Sequence, residues 1–121
     1  MKLEEIRNHW EKSGKSFPSD GQITPTSRDP YLGELERDNI LACLDIEYTC
    51  LEIGCGDASY TMHYAKKVKH ILAIDVANSL INIASRRAQL ELLNNIDFCV
   101  GSVLDMRDRF EGKQFDCVLS Q

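Results

Sequence analysis

Four short apolar runs recur along the chain, and stretches of helical period lie between them. Thr49–Ile53, His70–Asp75, Ile96–Val100 and Gln114–Leu119 are too short for helices and read as buried strands. After the first run, Tyr60, Tyr64 and Val68 repeat at helical spacing. After the second, Leu80, Ala84, Ala88 and Leu92 form a stripe flanked by Ile81 and Ile83, on a helix from Asn78 to Leu93 that Asn94-Asn95 ends. Upstream, Leu3, Ile6 and Trp10 share one face of a helix over Lys2–Lys12. A second helix spans Gly33–Leu44, with Leu35, Ile40, Leu41 and Leu44 as buried positions and Glu34 and Glu36 suiting the positive end of its dipole. Ser13–Pro30 separates the two helices and holds all three prolines, which marks a long irregular connection. Strands alternating with helices predict an α/β fold: a parallel sheet ordered 3-2-1-4 with helices on both faces.

One junction carries chemistry. The run Thr49 to Ser59, TCLEIGCGDAS, is a strand that breaks at Gly54 and Gly56, where Asp57 or Ser59 is placed to cap the next helix. A strand entering a glycine turn presents backbone N–H groups to a ligand, and glycine supplies the positive φ or the bare backbone that such a turn needs. The second strand ends in Asp75, 19 residues past Gly56, near the offset of an acidic residue that hydrogen-bonds a ribose. Together these imply a cofactor containing adenosine. A dinucleotide fingerprint wants a third glycine at position 59, which is Ser59, and brings a pyrophosphate close to Glu52. A carboxylate there repels that anion and tolerates the ammonium and sulfonium of S-adenosylmethionine.

The segment Glu52 to Ala58, E-I-G-C-G-D-A, resembles the first motif of class I S-adenosylmethionine-dependent methyltransferases, acidic-x-G-x-G-x-G, with Ala58 where the third glycine is usual. ILAIDVANSLINIASRRA resembles that family's second strand and helix, IDFCVGSVLDM its third strand and adenine turn, and FDCVLSQ its fourth strand. The resemblance implies a Rossmann-like fold that uses S-adenosylmethionine and leaves S-adenosylhomocysteine. It assigns the backbone of Gly54, Cys55 and Gly56 to the methionine portion, Glu52 to its ammonium, and Asp75 to both ribose hydroxyls. Val76, Ser102 and Val103 would flank adenine and Ser120 would sit near the transferring end, with Ser102 standing where many members carry Asp or Asn. Arg28 and Tyr31 belong to a segment similar to ones that close over the cofactor in some members, so residues 1–33 are expected to be a helix and covering loop, and 34–121 the cofactor-binding domain. The expected reaction is methyl transfer to a small-molecule acceptor. The alternatives are a fragment of an NAD(P)-dependent oxidoreductase and a non-catalytic S-adenosylmethionine-binding module.

Composition narrows the partners. A net charge of −5 argues against broad nucleic-acid or anionic-membrane binding, and the cluster Lys66, Lys67, Lys69 and His70 reads as cations at a helix C-terminus. No apolar run reaches membrane-spanning length, and five cysteines with no C-x-x-C pair read as free thiols in a cytoplasmic protein. His9, His63 and His70 lack ligand spacing, so no metal is expected. No general base is assigned; Asp105 is the acidic residue to test for contact with cofactor or acceptor. The fold is expected to be truncated after its fourth strand, as a fragment of a longer enzyme; a homodimer covering that edge is the other arrangement.

Overall fold

The computed structural model describes residues 2–16 and 29–120. In chain order the elements are α1 (Leu3–Ser16), α2 (Pro30–Leu41), β1 (Thr49–Ile53), α3 (Thr61–Ala65), β2 (His70–Asp75), α4 (Asn78–Leu90), β3 (Ile96–Val100), a 3-10 turn (Val103–Asp105) running into α5 (Met106–Arg109), and β4 (Cys117–Ser120). The four strands form one parallel sheet in the order β3-β2-β1-β4, as the alternation predicts. Its register positions the site. Ile53 at the end of β1 pairs with Ile74, so β2 runs one residue further and carries Asp75 past the end of its neighbour.

Period-two alternation sends successive side chains of each strand to opposite faces. On one face Cys50, Tyr64, Ala65, Val68, Ile71 and Leu119 form a cluster that Ile40, Leu41 and Leu44 complete. On the other, Leu51, Leu72 and Ile74 meet Met106, Phe110 and Phe115. Burial on both faces is why the two central strands, β1 and β2, read as nearly continuous apolar runs.

Several boundaries differ from expectation for identifiable reasons. α1 continues to Ser16. α2 begins at Pro30 rather than Gly33, because Asp29 is extended and its carboxylate accepts the N–H groups of Tyr31 and Leu32 at 3.0 and 3.2 Å, with proline in the first helical turn. Tyr31 therefore sits in a helix's first turn, exposed, and Leu35 is exposed as well. Arg28 lies outside the described residues. The helix after the glycine turn is only five residues long, and no side chain caps it, neither Asp57 nor Ser59.

α4 stops at Leu90, before Asn94-Asn95. Leu92 takes a left-handed φ of 57° while its N–H bonds the Gln89 carbonyl and that of Leu93 bonds Ala88. This is a Schellman ending, with Leu93 packed beside Ala88 and Leu92 turned out to solvent instead of completing the stripe. β4 starts at Cys117, later than Gln114.

Candidate functional site

The turn after β1 is folded by its own backbone. Gly54 and Gly56 have φ of 77° and 58°, the left-handed region where a Cβ is strained. The N–H groups of Gly54 and Cys55 both bond the Ile74 carbonyl, at 2.8 and 3.0 Å, which ties the turn to the end of β2. Ala58 also lies at φ 63°, so the position of the missing third glycine keeps the glycine conformation. Its methyl is fully buried against Met62, Ala84 and Ala88, which accounts for a small residue there.

Asp75 is the second support. One oxygen of its carboxylate accepts the Gly56 N–H at 2.8 Å and the other accepts the Ala77 N–H at 3.0 Å, while its carbonyl accepts Gly101 N–H at 2.8 Å. A single residue thus joins the glycine turn, the start of α4 and the end of β3. A carboxylate oxygen has room for two hydrogen bonds and each of these accepts one from the backbone, so acceptor capacity remains for a ligand. Asp57 is fully buried behind the turn. It accepts the Ser59 N–H with one oxygen and pairs with Arg87 at 3.5 Å through the other.

These pieces frame a cavity of about 410 Å³, lined on the floor by Ile53, Gly54, Gly56, Ile74, Asp75 and Val76. Gly101, Ser102 and Val103 form one wall, Leu80 another, and Leu3, Ile6 and Trp10 of α1 the roof. The volume falls within the roughly 300–1,000 Å³ of small-molecule sites. Among the described residues lining it, Asp75 is the only charged one, and none is Lys, Arg or His. Ser102 is buried and its hydroxyl oxygen accepts the Leu104 N–H at 3.1 Å, capping the 3-10 turn and shaping that wall.

Of the residues singled out from sequence, Gly54, Gly56, Asp75, Val76, Ser102 and Val103 come together around the cavity. Glu52, Cys55 and Ser120 are not in its lining. Glu52 projects to the α3 side of the sheet, where Thr61 donates its hydroxyl to the carboxylate. Burial pushes the Glu52 carboxyl up from 4.5 to about 7, the Thr61 hydrogen bond opposing this and the Asp75 charge adding to it. Desolvation, with the Glu52 and Asp75 carboxylates close by, holds the Cys55 thiol protonated far above its ordinary range, which removes it as a nucleophile. Among the described residues, no group of three His, Cys, Asp or Glu side chains converges as metal ligands do. Sequence reasoning missed Ile53, Ile74, Leu80 and Gly101 as lining residues. Ile53 and Gly101 flank named positions and were findable by the same turn logic.

A family model described as a methyltransferase domain matches residues 50–121. The chain belongs to the methyltransferase-domain family. Phosphoethanolamine N-methyltransferase 1 of Triticum aestivum is 28% identical over 116 residues, which is 94% of this chain and 23% of that protein. The magnesium-protoporphyrin O-methyltransferase of Rhodobacter capsulatus is 36% identical over 70 residues, 58% of this chain and 30% of its own length. Among solved structures, phosphoethanolamine N-methyltransferase 1 of Haemonchus contortus, in complex with phosphoethanolamine and S-adenosylhomocysteine, superposes with a TM-score of 0.70 at 22% identity, covering 99% of this chain and 26% of that one. RNA methylases match this methyltransferase domain too, so relatedness does not restrict the acceptor to small molecules. The chain spans less than a third of either sequence relative. Among the described residues, no helix is long and apolar enough to cross a membrane.

Proposed function

We propose that this methyltransferase domain binds S-adenosylmethionine between the glycine turn and α1 and serves methyl transfer to a small-molecule acceptor. The observation that carries the proposal is the Asp75 carboxylate held against the Gly56 N–H at the mouth of the turn. An acidic residue at this offset also serves dinucleotide sites, but here Ser59 stands where their third glycine would be, and the described lining of the cavity has no cation to meet a pyrophosphate. An anion is disfavoured there and a cationic nucleoside is not.

The residues fit the group. Asp75 accepts the two ribose hydroxyls, Val76, Ser102 and Val103 flank the adenine, and the bare backbone of Gly54 and Gly56 lies along the methionine portion. Glu52, one layer behind the turn, acts on the ammonium through its field rather than by contact, and Ser120 lies outside the cavity at the end of β4. When bound, S-adenosylmethionine supplies a methyl on sulfonium for in-line attack by an acceptor nucleophile, and the domain contributes by holding it at near-attack distance. The small-molecule acceptor is supported by the two relatives named for phosphoethanolamine and magnesium-protoporphyrin and by the net charge of −5, which disfavours RNA.

Thermal shift tests the proposal. S-adenosylhomocysteine at a hundredfold excess over its Kd is expected to add about 2.7 kcal/mol of stability, and NAD or NADP none. Stabilisation by the nicotinamide cofactor alone would reverse the assignment. The module alternative is met by a radiolabelled methyl-transfer screen over small amines, alcohols and RNA, where transfer to a small molecule is expected.

A further inference from the structure

The two ends of α1 are held in different ways. Its C-terminal half is seated on α4, where Trp10 packs against Ala77, Leu80 and Ile83. Gly14 lies so close that a Cβ there would clash with Ser79 Oγ and meet Leu80 Cδ2 at 3.1 Å. Between these contacts the Glu11 carboxylate accepts the Ser79 N–H at 3.2 and 3.3 Å, and the Glu11 carbonyl accepts the Ser79 hydroxyl at 2.8 Å. α4 has a use for that carboxylate. Its N-cap position is Ala77, which makes no side-chain cap, so a first-turn N–H finds its acceptor 68 residues away in sequence. The N-terminal half of α1 is different. Leu3 and Ile6 belong to no buried cluster among the described residues; they are half-buried and line the cavity.

We propose that the Glu11–Ser79 contacts and the Gly14 seat form a latch that docks α1 as a roof over the bound nucleoside, and that opening this latch sets the rate of ligand exchange. The inference rests on the function proposed above and adds a positioning role for three residues outside the glycine turn. Leu3 and Ile6 lose their remaining water when a ligand fills the cavity, so ligand and docked helix stabilise each other reciprocally. Glu11 contributes through α4 rather than by touching the ligand, which separates it from Asp75.

Trp10 is the only tryptophan and lines the cavity, so its fluorescence reports release of S-adenosylhomocysteine directly in stopped flow. Glu11→Ala is expected to speed release about fivefold, the effect of losing one helix cap. Glu11→Gln, which keeps an acceptor, should restore most of the wild-type rate. Gly14→Ala separates docking from helix formation: it raises the intrinsic helix propensity of α1 yet places a methyl against Ser79, and it too should speed release at undiminished helical content. Release within twofold of wild type in both Glu11→Ala and Gly14→Ala overturns the latch, as does a lowered melting temperature with unchanged release, which marks a merely structural contact. A wild-type chain that does not bind S-adenosylhomocysteine overturns the proposed function itself, and the latch with it.

Discussion

The floor and the roof of the cavity are built on opposite principles. The floor is main chain: two N–H groups of the turn bond one Ile74 carbonyl, and Asp75 clasps a third. These bonds depend on strand register, so the floor keeps its shape as long as β1 and β2 stay paired. The roof is side chain: a tryptophan, a glycine seat and one carboxylate hold α1 to α4. Losing any of them leaves the sheet intact. The proposed latch makes α1 the adjustable side of this site and the glycine turn the fixed one, so variants on the two sides should fail differently.

The largest effect is expected on the floor. Asp75→Ala removes the acceptor for Gly56 and Ala77 together with the ribose contact proposed above, and should weaken S-adenosylhomocysteine by about a hundredfold or more in calorimetric titration. A loss below tenfold would mean that the carboxylate is structural only.

Next comes the buried carboxylate behind the floor. Glu52 is held near 7 in the folded chain against 4.5 when exposed. A raised folded-state value stabilises fully below about pH 4.5, progressively less as pH rises, and no longer above about pH 7, a span of about 3 kcal/mol. Urea melts of wild type and Glu52→Gln across pH 5 to 8 should therefore converge at the acid end and separate at the alkaline end, with the variant flatter. Parallel curves would contradict a Glu52 carboxyl raised to about 7 by burial.

A smaller effect distinguishes backbone strain from crowding in the turn. A Cβ on Gly54 meets nothing within 4 Å, so Gly54→Ala should cost only the left-handed φ, about 1–2 kcal/mol by denaturant melt. The smallest effect compares two non-glycine residues in that same conformation. Leu92→Gly relieves an exposed strained position and should gain about 0.5 kcal/mol, whereas Ala58→Gly also loses a buried methyl and should gain nothing. A gain at Ala58 equal to that at Leu92 would show that its packing contributes little.

How far the site could be read from sequence follows the same division. Strand order and the place of Asp75 were legible because a parallel sheet with short connections has few topologies, and because 19 residues bring the second strand's end back beside the turn. Glu52 is absent from the cavity lining because it lies inside β1 and its side chain points opposite to that of Ile53, which does line it. The motif suggests a residue's role, and the pleat decides its face. The end of α4 was hidden because a leucine performs the turn that usually advertises itself with glycine. The start of α2 was visible in Asp29-Pro30 and was outweighed by the proline-rich stretch before it. The Glu11–Ser79 contact had no local signal at all, since its partners are 68 residues apart and neither is unusual where it stands.

Amide NMR of the chain titrated with S-adenosylhomocysteine tests most directly whether the glycine turn and Asp75 hold the nucleoside. Saturable shifts concentrated at Gly54, Gly56, Asp75, Val76, Ser102 and Val103, with none from NAD, are expected. Shifts scattered over the surface, or the same turn responding to NAD and not to S-adenosylhomocysteine, would contradict it.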